Sequence, residues 1–69
     1  MNIYTIKPLF NISWVIKAYR EQHLPLIKNL TILTDGIIVE TTLTEEELLM
    51  KISPYLQGEI IIETVQEME

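Results

Sequence analysis

The dipeptide Asp35-Gly36, set between β-branched runs at residues 30–34 and 37–41, constrains this chain more than any other feature. A two-residue type I′ turn needs positive φ at both central positions, which aspartate and glycine tolerate at low cost, so the spacing predicts a hairpin. Pairing outward from such a turn sets Thr34 opposite Ile37, Leu33 opposite Ile38, Ile32 opposite Val39, Thr31 opposite Glu40 and Leu30 opposite Thr41. Strand side chains alternate between faces. One face then carries Leu30, Ile32, Ile37 and Val39 and reads as a core face. The other carries Leu33, Ile38, Thr31 and Glu40 and is half apolar.

Residues 2–7 are aromatic and β-branched and stop at Pro8, which predicts a strand with Tyr4 and Ile6 on one face and Ile3 and Thr5 on the other. An apolar side chain on each face suits a central strand. A helix capped by Asn11 or Ser13 and running to Gln22 or His23 would align Ile12, Val15, Ile16 and Tyr19, with His23 at the end of that stripe. Trp14 falls on the opposite side, between Lys17 and Glu21 and beside Ala18. Pro25 requires the helix to have ended. Leu26 and Ile27 are too apolar for an exposed loop and are expected to tuck under the sheet edge. Thr44 and Glu47 form a capping box for a second helix with Leu48, Leu49, Ile52 and Leu56 on its inner stripe and Tyr55 at the margin. Pro54 predicts a kink or an early stop, and Gly58 supplies a left-handed C-terminal cap. Residues 59–65, EIIIETV, form the last and most β-prone strand, with Ile61, Glu63 and Val65 on one face and a frayed QEME tail after it.

Strand, helix, strand, strand, helix, strand is the split βαβ order, and it predicts an α+β, ferredoxin-like domain spanning residues 1–69. Right-handed crossovers put both helices on one face of a four-stranded antiparallel sheet and leave the other face open. The pattern carries no family motif, so fold alone lends no function.

Sixty-nine residues with no cysteine give a core of minimal size without a disulfide to reinforce it. Thiolate metal sites, iron–sulfur ligation and a cysteine nucleophile are excluded, and the composition suits a reducing compartment. No apolar run has the length of a bilayer span and no signal peptide is evident, so a cytoplasmic protein without membrane association is expected. Ten acidic and five basic residues give a net charge of −5, and from Glu40 onward there are eight glutamates and one lysine. That balance argues against direct nucleic-acid binding, which needs clustered cations, and fits either solubility or a basic protein as partner.

Catalysis has few candidates: one histidine, one aspartate and two serines. His23, at the end of an apolar stripe, is expected to cap or half-bury. Glu45, Glu46 and Glu47 point about 100° apart and do not converge on a cation. Glu40 and Glu63 share the open face but are separated by the first strand. No phosphate loop, metal site or cofactor motif is present, and no catalytic, cofactor or metal residue is assigned. A surface remains. Leu33, Ile38, Ile61 and Val65, with Ile3 or Tyr4, would make a contiguous apolar patch beside Glu40 and Glu63, and Trp14 is either a second candidate anchor or, on a shifted helix phase, a core residue. The expected function is a non-enzymatic interaction or regulatory domain, self-associating through that face as a homodimer. Alternatives are a regulatory domain that senses a metabolite between subunits, and a small acidic inhibitor of a nucleic-acid-binding protein. An enzyme using His23 with a glutamate is the remotest reading.

Overall fold

Residues 2–7 alternate between inside and outside, and this period of two makes them the strand on which the fold is built. Asn2, Tyr4 and Ile6 are buried on one side, while Ile3, Thr5 and Lys7 are half-buried on the other. The computed structural model describes residues 1–66. Its elements are β1 (Asn2–Lys7), a 3-10 turn (Leu9–Ile12), α1 (Ser13–Arg20), β2 (Ile27–Ile32), β3 (Ile37–Thr41), α2 (Glu45–Ile52), a second 3-10 turn (Ser53–Tyr55) and β4 (Ile61–Gln66). The sheet order is β2-β3-β1-β4, antiparallel throughout, with β1 bordering both β3 and β4. This is the ferredoxin-like α+β fold expected from the element order. Gln66 ends β4 as a paired residue, and the rest of the tail expected to fray lies outside the described residues.

The hairpin forms in a different register. Ile32 faces Ile37, Thr31 faces Ile38 and Leu30 faces Val39, so Leu33, Thr34, Asp35 and Gly36 make a four-residue loop closed by the Leu33 N–H on the Gly36 carbonyl at 2.8 Å. The slip is two residues, one full period of the pleat, so Leu30, Ile32, Ile37 and Val39 keep the face assigned to them. Leu33 does not; it leaves the strand. Tertiary contacts account for the longer loop. The Asp35 carbonyl accepts the Leu9 N–H at 2.7 Å, and a Cβ on Gly36 would meet the Ile6 carbonyl and lie 2.9 Å from Lys7 Cγ. Gly36 is therefore needed for close approach to the end of β1, and positive φ, which it does not adopt, is not the reason.

β2 also starts earlier than expected, because Ile27 is its first residue and is buried opposite Thr41. Lys28 forms a bulge between the Ile27 and Asn29 pairings. β4 begins at Ile61, later than the Glu59 expected, and carries a second bulge at Val65.

The first helix is preceded by its 3-10 turn, and neither Asn11 nor Ser13 caps it. Asn11 instead clamps the loop before β4, where its amide donates to the Glu59 carbonyl and its own carbonyl accepts from Gln57 N–H at 3.0 Å. The helix closes two to three residues early in a Schellman turn. Gln22, at φ +62°, donates to the Tyr19 carbonyl, and the His23 N–H donates to the Ala18 carbonyl at 2.8 Å. At α2 the capping box forms as expected, with Glu47 N–H on Thr44 Oγ1 at 3.3 Å and Thr44 N–H on Glu47 Oε1 at 3.1 Å. Pro54 ends the α-helix at Ile52. Gly58 has the expected positive φ of 95°, but it turns the loop three residues past Tyr55 and does not cap the helix.

The core lies between sheet and helices. Tyr4, Ile6, Ile12, Val15, Ile37, Val39, Leu48 and Ile52 are fully buried in it. A small polar knot sits at one end. The Leu43 carbonyl accepts from Asn2 Nδ2 and from the Tyr4 hydroxyl, both at 2.9 Å. Thr41 Oγ1 donates to the Leu26 carbonyl at 2.7 Å and accepts the Leu43 N–H at 3.2 Å. Two loops are thereby tied to the two central strands, and among the described residues no buried side-chain nitrogen or oxygen lacks a partner.

Two stability changes follow. Thr41→Val keeps shape but strands the Leu26 carbonyl and the Leu43 N–H, and should cost about 2 kcal/mol in urea unfolding. Gln22→Gly removes a left-handed Cβ and should gain about 1 kcal/mol in the same assay; a loss would mean the glutamine side chain itself holds the turn.

Candidate functional site

The register assigns each residue of the helix-free face to a row. One row runs Thr31, Ile38, Thr5, Glu63 across β2, β3, β1 and β4, and the next runs Asn29, Glu40, Ile3, Gln66. Ile61 lies beyond them opposite Lys7. The face is thus a mosaic. Ile3 and Ile38 adjoin near its centre, half-buried by their neighbours, but Thr5 and Lys7 of β1 separate them from Ile61. The expected contiguous apolar patch is corrected accordingly: Leu33 belongs to the hairpin loop, and Tyr4 faces the core at 1% exposure. Val65, at the β4 bulge, and Ile61 are 59% and 60% exposed.

Glu40 and Glu63 lie on this face on either side of β1, as the strand order required. Glu40 Oε2 accepts from Asn29 Nδ2 at 2.7 Å, which uses one of the two amide hydrogens of Asn29. The two carboxylates are a β1 strand apart and do not act as a pair. Among the described residues no three histidine, aspartate or glutamate side chains come together as metal ligands would. Glu45, Glu46 and Glu47 occupy the first turn of α2, where the helix dipole favours them.

His23 is exposed, so the expected half-buried position does not form; the early Schellman turn carries it out of the helical stripe. It borders a shallow cleft with Trp14, Lys17, Ala18, Glu21 and Tyr55. Trp14 is 46% exposed, and Lys17 Nζ lies 4.8 Å from its ring centroid, within cation–π range. Trp14 also lines a shallow cleft with Pro54, Tyr55, Leu56 and Gln57 of the second 3-10 turn and the loop after it, and Ala18, one helical turn on, is buried.

A second concave surface was not anticipated. A groove of about 600 Å3 runs between α1 and the outer edge of β2, with Leu9, Phe10, Ile16 and Ile32 on its walls and Arg20 and Asp35 at its rim. Phe10 is 74% exposed and Ile32 44%. The signal lay in the adjacent pair Leu9-Phe10 at the start of a helical segment, because neighbouring helical positions diverge by about 100° and only one of the two could meet the core. Leu9 packs against the core. Phe10 is left outside.

No family model matches the chain, and neither a curated protein nor a solved structure is found similar to it. No helix among the described residues is long and apolar enough to cross a membrane.

The exposure of Phe10 yields a direct contrast. Phe10→Ser should change stability by no more than about 0.5 kcal/mol, whereas Ile52→Ala, at a fully buried position, should cost about 3 kcal/mol. Equal losses in denaturant unfolding would put Phe10 in the core and abolish the groove.

Proposed function

We propose that this chain is a non-enzymatic interaction domain of regulatory type, which docks a partner protein on the helix-free sheet face. The observation that supports this reading is the composition of that face in register. Two central isoleucines, Ile3 and Ile38, are flanked by Glu40 and Glu63, with Ile61 exposed beyond them. An apolar centre beside separated carboxylates suits a partner that offers apolar side chains together with lysine or arginine. The apolar centre supplies contact area, and the carboxylates set orientation and approach. The remaining glutamates of the acidic second half add a long-range field of the same sign.

A second reading is favoured by the groove beside β2. Its volume falls within the range of small-molecule sites, and its apolar walls, with Arg20 on a rim that also carries Asp35, suit a ligand with an apolar body and an anionic group directed to Arg20 and away from Asp35. This is the metabolite-sensing alternative, placed beside an outer strand of a single chain.

The two readings separate on one panel. Partners captured by the immobilised wild-type chain should be lost with Ile38→Glu and with the Glu40→Lys, Glu63→Lys double variant, and kept with Phe10→Ser. Retention by the face variants would refute the sheet-face reading. Saturable thermal stabilisation by a small anionic compound, abolished by Phe10→Ser, would establish the groove in its place.

A further inference from the structure

We infer that copies of this chain associate head to tail, the outer edge of β2 in one copy pairing with the outer edge of β4 in the next, so that one antiparallel sheet continues through both. The inference goes beyond the docking reading and does not depend on it: edge pairing engages Ile61 and Glu63 at the margin of the helix-free face and leaves its centre, Ile3 and Ile38, uncovered.

Strand polarity makes the join available. β3 and β4 both run against β1, and β2 runs against β3, so the two outer strands run opposite to one another. A second copy in the same orientation, shifted sideways, brings its β4 against β2 in the antiparallel sense with its helices on the same side. Charge selects this arrangement. β2 carries Lys28 and no carboxylate, whereas β4 carries Glu63 and no cation, with Glu59 just before it. Joining unlike edges brings opposite charges together; joining two β4 edges about a twofold axis brings the Glu63 carboxylates close, and joining two β2 edges leaves each Lys28 without a carboxylate.

The side-chain pattern fits as well. Leu30 and Ile32 are on the helix side of β2, and Ile62 is on the helix side of β4. A register that respects both faces sets Leu30 opposite Ile62, Thr31 opposite Ile61 and Asn29 opposite Glu63. It covers the exposed Ile32 and Ile61, and it offers the second amide hydrogen of Asn29 to Glu63 while the first stays on Glu40. Lys28 then lies one residue from the same carboxylate. The bulges at Lys28 and Val65 meet at one end of this join and stop regular pairing there, and at the other end β2 stops after Ile32 and β4 starts only at Ile61, which keeps the contact short and reversible, in the way that bulges and charges limit runaway pairing of edge strands.

The absence of cysteine makes the test clean. Thr31→Cys and Ile61→Cys are placed in separate chains, mixed, and oxidised. Within one copy the two positions are three strand spacings apart, about 14 Å, against an upper limit of about 7 Å between the Cα atoms of a disulfide, so every bond in a doubly substituted chain also joins copies. The mixed disulfide should exceed either homodimer by at least fivefold, and the double variant should give a ladder of covalent oligomers. A control pair in exposed loops, Thr42→Cys with Gln57→Cys, should stay at background. Predominance of either homodimer would establish a twofold assembly and overturn the inference, and so would mixed disulfide no greater than the control.

Discussion

β1 is one of the two central strands, bordered by β3 and β4 and packed under the helices, and the rest of the structure depends on how its end is held. Tyr4 and Asn2 send their donors to a single acceptor, the Leu43 carbonyl, while Thr41 on the neighbouring strand binds the Leu43 amide and the Leu26 carbonyl. Left unpaired in a core of this size, each of those groups would cost on the order of 1–3 kcal/mol, a large share of a small domain's stability. Satisfied together, they fix the loop that enters β2 and the loop that enters α2. The crossovers are thereby anchored at one end of the sheet. At the other end Gly36 passes close to the Ile6 carbonyl, and the Asp35 carbonyl holds Leu9. Both ends of β1 thus set where the hairpin can lie.

This explains which parts of the molecule could be read from residue order. The element order, the extent of β1, the Thr44–Glu47 box and the stop at Pro54 all depend on local chemistry, and each occurs where local chemistry places it. Asp35-Gly36 is a different case. The dipeptide correctly marks a turn, but loop length is decided by contacts with β1 and Leu9 that lie about 30 residues away, so a two-residue turn gives way to four. The strand faces survived only because the slip equals the pleat's period. His23 illustrates the same limit. Its position on a helical stripe is correct for a continuing helix, and Gln22 in the left-handed region ends that helix first.

The candidate surfaces divide along the same line. Ile38, Ile61, Glu40 and Glu63 were legible as residues of one face because alternation alone assigns them. Their arrangement was not, because the separation of Ile38 from Ile61 by Thr5 and Lys7 depends on pairings between strands far apart in sequence. Helical periodicity put Trp14 outside the sheet-facing stripe but left open whether it was exposed or core; it is 46% exposed, beside a 3-10 turn that comes about 40 residues later. The groove at Phe10 also needs the first 3-10 turn, α1, β2 and the hairpin loop together. The surface chemistry therefore comes from long-range geometry acting on an unremarkable composition.

Edges and face make this a protein whose properties reside in its surface, with β2 and β4 as the strands through which copies meet. A dilution series followed residue by residue in the two-dimensional amide spectrum tests that claim most directly. Head-to-tail pairing predicts concentration-dependent shifts at residues 29–32 of β2 and 61–64 of β4 that exceed those at Ile38 and at Trp14 on α1. Shifts centred on Ile38, or a spectrum independent of concentration throughout, would contradict it.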